Sequence, residues 1–415
     1  MRILPRLLRR VIHTGSLTLI GPDGASETFG GEPGQSGPGP SVTIRITDPA
    51  LDAKLLLNPE LRFAEAYMDG GLEVAPEDLR DLLRLFKLNK KRLNRAPSQA
   101  LVRRAARMVK RIARNTPLRA RRNAAAHYDI GNDLYRLFLD ADMQYSCAYF
   151  PQGNETLEQA QLAKKRHIAA KLMLRPGQRV LDIGCGWGGM ALYLAQIADV
   201  EVLGITLAEE QLEVARERAE AAGLAGRVRF ELRDYRALDG TFDRIVSVGM
   251  LEHVGATGLG TYFDTLRDRL APDGVALIHS IMRAKASGVT SPFTAKYIFP
   301  GGYIPALSET VAAVERSRLW LQDCEIWRKH YATTIEHWAR RFAANREAAK
   351  ALYDERFCRM WELYLAGAES SFRDGRMAVM QLQLGHERDA VPLGRDYMAE
   401  ETGRLMAREA EVGLA

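Results

Sequence analysis

The sequence lacks any apolar run that is long enough to cross a bilayer. Its longest apolar stretches, such as the one around residues 275–281, fall far short of the about 18 residues that a membrane-spanning helix requires. The first 20 residues are basic and apolar, but Arg and His interrupt them, so the uninterrupted core of a signal peptide is missing. We therefore expect a folded protein with no transmembrane span and no export.

Cysteine is scarce as well. The four cysteines (Cys147, Cys185, Cys324 and Cys358) are far apart in the sequence, and no two of them form a C-x-x-C pair. This spacing argues against a zinc site and against a disulfide framework. We expect no structural metal, and a reducing cytoplasm fits this cysteine usage best.

Acidic residues are absent from residues 84–122, which contain fifteen Lys and Arg. Because the net charge of the whole chain is +6, the rest of the chain carries about −9. Such a segment suits an anionic surface, either phospholipid headgroups or nucleic acid phosphates. The alternative is an ordinary solvated helix face.

The length of 415 residues and the hydrophobic content of 47% predict two folded domains. Short alternating segments, SLTLI and SVTIRI, flank a loop rich in Gly, Pro and Ser at residues 30–40, and helical or mixed segments follow. Residues 1–90 are therefore predicted to form a small α+β domain. Residues 91–125 are predicted to form a basic linker with one amphipathic helix, interrupted by Pro97 and Pro117.

The main domain is predicted to span residues 126–395, followed by a C-terminal tail at residues 396–415. From about residue 176 apolar strands alternate with helices, as in RVLDIG, MALYLAQIA, VEVLGIT, EEQLEVARERAEAAG, VRFELRD, FDRIVSVG and GVALIHSI. This alternation predicts an α/β fold with a parallel, doubly wound, Rossmann-like sheet. The part from Glu336 onward is predicted to be helical.

A glycine-rich turn follows the first of these strands. Asp182 precedes Gly184, Gly186 and Gly188 in a G-x-G-x-G pattern, whereas a dinucleotide fingerprint would be G-x-G-x-x-G. The pattern resembles motif I of class I methyltransferases. S-adenosylmethionine has no phosphate but carries an ammonium and a sulfonium, which favour a nearby carboxylate such as Asp182. The alternative is a glycine-rich turn without a ligand.

The remaining cofactor contacts are expected at the ends of the next two strands. Methyltransferases commonly hold the ribose with an acidic residue after the second strand, but here that strand ends in Thr206. We expect the Thr206 hydroxyl and the Gln211 amide to replace that carboxylate, since both groups donate and accept hydrogen bonds. Asp234 is expected to accept from the adenine amino group, and Tyr235 to stack on the ring. Taken alone, either residue is more often a surface or helix-capping group.

Several longer strings carry a family resemblance. They are AHYDIGNDLYRLFLDADMQYSCAYF (126–150), VLDIGCGWGG (180–189), FDRIVSVGMLEHVG (242–255), LIHSI (277–281), KYIFPGGYIP (296–305) and HYATT (330–334). Together they resemble the cyclopropane-fatty-acyl-phospholipid synthases, relatives of the mycolic acid cyclopropane synthases. The likeness covers roughly residues 120–390. It implies transfer of a methylene group from S-adenosylmethionine to the cis double bond of an unsaturated fatty acyl chain in a membrane phospholipid.

The resemblance also implies roles for individual residues. Tyr145 and Ser146 would contact the cofactor, and Cys147 would line the reaction centre. The family's bicarbonate pocket would be formed by Glu252, His279, the Ile281 backbone and Tyr331. Bicarbonate would remove a proton from the carbocation formed when the alkene is methylated, in a site that excludes water. In isolation, Cys147 would be a small buried hydrophobic residue, His279 a core histidine and Glu252 a helix cap.

The sequence departs from the family in the segment that follows LIHSI. Met282 stands where Gly is common, and Ser291-Pro292-Phe293 stands where Asp-Pro-Trp is common. The aromatic residues of this segment could wall an acyl channel or pack in the core. The acyl chain length and double-bond position therefore stay open, as does a methyl-branched or methylene-bearing product or another unsaturated lipid substrate.

The resemblance and the basic segment together indicate the partners. Phospholipid acyl chains lie in the bilayer, so the enzyme is expected to be cytoplasmic and peripherally bound to the anionic inner face of the cell membrane. The family resemblance suggests a homodimer, and residues 1–90 a role in lipid association or dimerisation. A nucleic-acid-binding protein or RNA methyltransferase is the alternative from another class, but no nucleic-acid recognition motif accompanies the charge.

Overall fold

The structure, a computed structural model, describes residues 4–31, 39–55, 58–89, 131–285, 288 and 290–414. The linker predicted at residues 91–125 and most of the loop predicted at residues 30–40 lie outside the described residues. Over the part of the chain that is described, no helix is both long enough and apolar enough to cross a membrane.

Helices and strands are numbered in chain order. The elements before residue 90 are α1 (Leu4–Val11), β1 (Ser16–Ile20), β2 (Ser26–Gly30), β3 (Ser41–Ile46), α2 (Leu51–Lys54), α3 (Pro59–Met68), β4 (Leu72–Glu73) and α4 (Leu79–Leu88). From residue 131 they are α5 (Asn132–Phe138), α6 (Leu157–Leu172), β5 (Arg179–Ile183), α7 (Gly189–Ala198), β6 (Glu201–Thr206), α8 (Glu209–Ala221), β7 (Val228–Leu232), β8 (Phe242–Val248), α9 (Leu259–Arg269) and β9 (Leu270–Arg283). The last are α10 (Leu307–Ser317), β10 (Trp320–Trp327), α11 (His330–Ala344), α12 (Arg346–Leu352), α13 (Glu355–Arg373), β11 (Met377–Gly385) and α14 (Asp396–Glu411).

The chain divides into two compact units. Unit 1 comprises residues 1–110, 289–298 and 335–375, and unit 2 comprises residues 111–288, 299–334 and 376–415. These units do not coincide with the boundaries predicted from the sequence, because residues 335–375 group with the N-terminal part. The predicted tail also contains α14, which packs against α6 within unit 2.

Unit 1 contains a four-stranded sheet in the order β2-β1-β3-β4. In β3, Val42, Ile44 and Ile46 are buried while the alternate residues are exposed, so one face of this strand covers the core. Within the same unit α13 packs against α3 and α4. The two short strands predicted around residues 16–20 and 41–46 are present as β1 and β3, and unit 1 combines strands with helices.

Unit 2 contains a seven-stranded sheet in the order β10-β11-β9-β8-β5-β6-β7. The five strands predicted from the sequence, β5 to β9, pair in parallel, and β11 joins β9 and β10 in antiparallel registers. The predicted Rossmann-like α/β class is therefore confirmed. The sequence predicts neither β10 nor β11, and β11 lies in the part from Glu336 onward that is predicted to be helical.

Both faces of the unit 2 sheet are covered by apolar clusters. On β5, Val180 belongs to one cluster and Leu181 to the other, as the alternation of side chains along a strand requires. Burial on both faces explains why the strands are nearly continuous apolar runs. The charged residues on β5 are thereby confined to its ends, where Asp182 precedes the glycine-rich turn.

Helix α6 fully buries two of its lysine side chains. It begins with a capping box, in which Thr156 and Gln159 satisfy each other's backbone N–H groups, and it ends at Met173, whose φ is +48°. Unusually for charged residues, Lys164 and Lys171 of this helix are fully buried. The burial of two lysines on one helix means that unit 2 must supply them with internal acceptors.

Candidate active site

A cleft opens in unit 2 at the carboxyl ends of β5, β6, β7 and β8, which is where parallel α/β sheets bind ligands. Nine of the ten residues predicted to bind the cofactor line it. They are Tyr145, Ser146, Asp182, Gly184, Gly186, Thr206, Gln211, Asp234 and Tyr235. Residues separated by up to 90 positions in the sequence therefore meet in one cavity.

Gly188 is the predicted cofactor residue that does not line the cleft. It begins α7 with a φ of +84°, and a Cβ atom built on it would lie 2.7 Å from Phe230 Cζ. The need for glycine here therefore comes from backbone conformation and from close packing against β7. Gly184, with a φ of +81°, does line the cleft and turns the chain at the end of β5.

Asp182 is buried at the floor of the cleft. Its Oδ2 accepts no hydrogen bond from any described residue, and burial raises its pKa to about 7 despite the opposing charge of Lys164. Lys164 Nζ donates to Gln144 Oε1 at 2.5 Å and to Ser146 Oγ at 2.9 Å. Burial lowers the pKa of Lys164 to about 8. Asp182 is therefore a desolvated carboxyl group whose ionised form a bound cation would stabilise, and the buried amine of Lys164 contacts two other residues of the lining.

The two groups predicted to hold the ribose lie side by side. The Thr206 hydroxyl is 3.4 Å from Gln211 Oε1, and it accepts a hydrogen bond from Ala208 N at 3.2 Å. Both side chains are buried and line the cleft. The Thr206 hydroxyl therefore stabilises the turn that leads into α8, and its side chain also lines the cleft.

Asp234 and Tyr235 follow β7 and also line the cleft. Asp234 accepts from the backbone N–H of Arg236 at 3.0 Å and forms an ion pair with the Arg236 guanidinium at 2.6 Å. Although burial opposes it, this pairing lowers the pKa of Asp234, which stays ionised. The carboxylate is therefore held in place by a residue that the sequence analysis did not single out.

Glu252 and Ile281 are in direct contact. Glu252 Oε1 accepts from the Ile281 backbone N–H at 2.5 Å, and Glu252 Oε2 accepts no hydrogen bond from a described residue. Burial raises the pKa of Glu252 to about 7, although the bond from Ile281 opposes the rise. The Ile281 N–H thus holds Glu252, so two of the residues predicted for the bicarbonate pocket lie together.

His279 lies two residues before Ile281 on β9. Its Nδ1 is 3.1 Å from Gln381 Nε2, and its Nε2 has no hydrogen-bond partner among the described residues. Burial lowers its pKa well below the usual range, so the ring is neutral. Trp327 contacts the ring edge-on, with centroids 5.1 Å apart. The imidazole is therefore held in a dry environment with one nitrogen uncommitted.

Cys147 is buried, and its thiol donates to the Ala148 carbonyl at 3.3 Å. Burial raises its pKa well above the usual range, so the side chain remains a thiol and is a poor nucleophile. Tyr331 is half-buried in the first turn of α11. The same turn reaches the Cys147 segment, because Ala148 N donates to Thr334 Oγ1 at 3.0 Å.

Three residues at this site were missed by the sequence analysis. Lys164 had the pattern of a solvated helix charge, and no local signal marks it as buried. Trp327 and His330 join the site through ring contacts, since Trp327 lies 5.4 Å from His330 and stacks on Tyr149 at 4.7 Å. His330 is the first residue of HYATT and Trp327 lies three residues before it, so this motif was the one sequence signal for both.

The aromatic residues after β9, together with the neighbouring Ile298, are divided between the two units. Phe293, Tyr297 and Ile298 belong to unit 1, where the Tyr297 hydroxyl donates to Glu65 at 3.0 Å. Phe299 and Tyr303 belong to unit 2, where Tyr303 N donates to the Glu252 carbonyl at 2.8 Å. Tyr303 thereby ties this segment to the turn that carries Glu252.

The mostly parallel sheet, its glycine-rich turn and the acidic residue beside it define an S-adenosylmethionine-dependent methyltransferase fold. Residues 115–382, more than half of the chain, match the mycolic acid cyclopropane synthetase family. The chain therefore belongs to that family, which confirms the family predicted from the sequence motifs.

Individual relatives agree with this assignment. The chain is 39% identical over 336 residues to the cyclopropane-fatty-acyl-phospholipid synthase of Escherichia coli strain K12, covering 80% of this chain and 84% of that protein. It is 37% identical over 354 residues to a probable fatty acid methyltransferase of Pseudomonas putida, covering 83% and 87%. The solved structure of mycolic acid cyclopropane synthase CmaA1 complexed with SAH and CTAB gives a TM-score of 0.61 at 32% identity, covering 64% of this chain and 97% of that one.

Proposed function

We propose that this enzyme transfers a methylene group from S-adenosylmethionine to the cis double bond of an unsaturated acyl chain in a membrane phospholipid, forming a cyclopropane ring. One observation carries the proposal: unit 2 combines the methyltransferase cleft with a buried Glu252 and a neutral His279, each with one uncommitted polar atom. The named activity of the Escherichia coli relative and the SAH in the CmaA1 complex support it.

The cleft residues bind and orient the methyl donor. Asp182 faces its positive charges, Thr206 and Gln211 hold the ribose, and Asp234 with Tyr235 receives the adenine. Tyr145 and Ser146 close the same cleft and lie directly before Cys147 in the chain. Such placement aligns the methyl group with the alkene at near-contact distance, which is the main demand of a reaction with a weak, uncharged nucleophile.

The chemistry requires that water be excluded. The alkene attacks the sulfonium methyl, so a carbon–carbon bond forms as the carbon–sulfur bond breaks, and a carbocation remains on the other alkene carbon. Loss of one proton from the new methyl leaves the C–H electron pair to close the ring. Because water would trap the cation as an alcohol, the burial of Cys147 and His279 favours the cyclopropane outcome.

Glu252, His279 and Tyr331 would hold bicarbonate. When bound, bicarbonate would supply a weak base for the proton of the new methyl group. The residues fit such an anion, because the neutral His279 ring offers a nitrogen without a partner and Glu252 can carry a proton near pH 7. A protonated Glu252 avoids the repulsion between two bare anions. Ile281 supports this arrangement by holding Glu252.

We further propose that the enzyme works as a homodimer at the anionic inner face of the cell membrane. The basic residues 84–122 support the membrane contact, since each cation near an anionic surface contributes about 1 kcal/mol. The acyl substrate supports it as well, because it lies in the bilayer. Unit 1 would take part in lipid association or dimerisation.

The activity can be tested directly with purified protein, S-adenosylmethionine and vesicles of monounsaturated phospholipid. Mass spectrometry of the released acyl chains should show the gain of one CH₂ unit, and proton NMR should show loss of the olefinic signals. His279→Ala should abolish the product without abolishing SAH binding. A gain of CH₂ with retained olefinic signals would identify a methylene-bearing product, and a gain of CH₄ would identify a methyl-branched chain. Either result would overturn the cyclopropane assignment.

A further inference from the structure

Behind His279, on the side away from its uncommitted nitrogen, lies a chain of buried polar groups. Lys171 Nζ donates to Gln381 Oε1 at 2.9 Å, and Gln381 Nε2 lies 3.1 Å from His279 Nδ1. All three side chains are buried, with exposed fractions of 1–2%. Buried polar groups need partners of the right polarity, so the direction of each bond in this chain can be worked out.

The direction is set by Lys171. An ammonium group only donates, so the atom of Gln381 that faces Lys171 must be the carbonyl oxygen. The other end of that amide is then its NH₂, which also only donates. His279 Nδ1 must therefore accept. A neutral imidazole whose Nδ1 accepts carries its single proton on Nε2, so Nε2 is a donor.

Lys171 has a second buried partner besides Gln381. Glu325 forms an ion pair with Lys171, and it accepts from His167 Nε2 at 2.7 Å. Although burial opposes it, the bond from His167 and the charge of Lys171 lower the pKa of Glu325, so the carboxylate is ionised. Lys171 Nζ thus lies between two acceptors, the Glu325 carboxylate and the Gln381 carbonyl oxygen, and it is the donor to Gln381.

We propose that Lys171 and Gln381 are positioning residues that fix His279 in the tautomer with its proton on Nε2. This inference rests on the proposed function, in which the Nε2–H group donates to the anion that takes the substrate proton. The other tautomer would direct a lone pair at that anion and repel it. Trp327 adds to the effect, since its edge-on contact restricts rotation of the ring.

The wild-type protein tests the inference without any substitution. Histidine labelled with ¹⁵N is incorporated, and two-bond ¹H–¹⁵N correlation spectra are recorded near pH 7, with the His279 signals identified by their loss in His279→Asn. We expect the neutral pattern with the proton on Nε2. A proton on Nδ1, or on both nitrogens, would overturn the proposal.

Gln381→Glu reverses the direction of the hydrogen bond between residue 381 and His279. A carboxylate accepts from Lys171 and also from His279, so His279 Nδ1 must become a donor. We expect the His279 signals to change to a form protonated on Nδ1, kcat to fall about 100-fold, and KM for S-adenosylmethionine to stay within about twofold. An unchanged His279 spectrum with full activity would contradict the proposed positioning role of Gln381.

Gln383→Met is the matched control. Gln383 is two residues further along β11, is equally buried, and donates to the Lys171 carbonyl at 2.6 Å without contacting His279. This variant should keep the wild-type His279 spectrum and kcat within about threefold. A His279 spectrum altered as much as in Gln381→Glu would indicate general disruption of β11 and refute the specific role.

The NMR spectrum of His279 and the assay for the cyclopropane product test the two proposals separately. If wild-type His279 carries its proton on Nε2 but no cyclopropane product forms, the positioning role of Lys171 and Gln381 stands and the proposed function fails. If the product forms while His279 carries its proton on Nδ1, the function stands and the positioning role is refuted.

Discussion

At Asp182 two physical effects act on one carboxyl group in opposite directions. Burial favours the neutral form, whereas the positive charge of Lys164 favours the ionised form, and burial dominates. The carboxylate is thus costly in the ligand-free protein and becomes favourable when a cation binds. A binding residue of this kind lowers stability in exchange for affinity, as is common at functional sites.

Asp182→Asn should therefore stabilise the ligand-free protein more at high pH than at low pH. The pKa of Asp182 is raised from 3.8 to about 7 on folding. The contribution of this carboxyl group to the free energy of unfolding is therefore fully present below about pH 4 and is lost as the pH rises through 7. The free energy of unfolding of the variant, relative to wild type, should increase by about 2 kcal/mol between pH 5 and pH 8. Urea titrations at each pH measure it.

Two further measurements make this prediction specific. Asp199→Asn removes an exposed carboxylate paired with Arg227 and should show no such trend with pH. Asp182→Asn should also weaken SAH binding by at least about tenfold, as measured by calorimetry. A stability difference that does not vary with pH would contradict the desolvation argument.

At the scale of elements, the first turn of α11 anchors the segment that carries Ser146 and Cys147. Phe150 N donates to His330 Nδ1 at 3.1 Å, and Ala148 N donates to Thr334 Oγ1 at 3.0 Å. These bonds connect the segment before α6 to α11, across 180 and 186 residues of sequence. The position of Cys147 therefore depends on α11 as well as on its own neighbours.

Thr334→Val should displace the Cys147 segment. Valine has nearly the same shape but cannot accept a hydrogen bond, so the buried Ala148 N–H loses its partner at a cost of about 1–3 kcal/mol. We expect kcat to fall at least tenfold, on the order of what a misplaced reacting group costs. Thr334→Ser keeps the hydroxyl and should retain most activity, and equal losses in both variants would refute the role of the hydrogen bond.

At the scale of the whole molecule, positive charge is concentrated while the rest of the chain is acidic. Residues 84–122 carry fifteen of the 58 Lys and Arg without one acidic residue. Attraction of such a segment to an anionic surface falls off within a Debye length, which is about 8 Å at physiological ionic strength. Membrane association through it must therefore depend on both lipid charge and salt.

Replacing Lys110 and Arg111 with glutamine should weaken binding to phosphatidylglycerol-containing vesicles by about 30-fold, at about 1 kcal/mol for each charge. Replacing the exposed Arg136 and Arg388 with glutamine removes the same charge elsewhere and should have a much smaller effect. Sedimentation with vesicles at increasing salt measures both variants. Equal binding of the wild type to neutral vesicles at high salt would contradict the electrostatic mechanism.

Much of the fold and of the cofactor cleft could be predicted because the signals are local. The alternation of strands and helices predicted β5 to β9, and the glycine-rich turn after β5 located the cleft. The prediction for Gly188 was incomplete, because its spacing does not show that Phe230 packs against it. Strand β11 was missed because its residues are flanked by long helices, and a short apolar run is ambiguous between the two structures.

The sequence by itself determined the class of the fold and the place of the cleft, since periodicity and turn chemistry act over a few residues. It also supplied nine of the residues that line the cleft, with Tyr145 and Ser146 coming from the family resemblance. Only the tertiary structure decided which groups complete the site. The buried Lys164 donates to Ser146, Thr334 accepts from Ala148 N, and Gln381 contacts His279 across 102 residues of sequence. The reason is physical: burial and hydrogen-bond polarity depend on which strands and helices pack together, and no local pattern encodes that pairing.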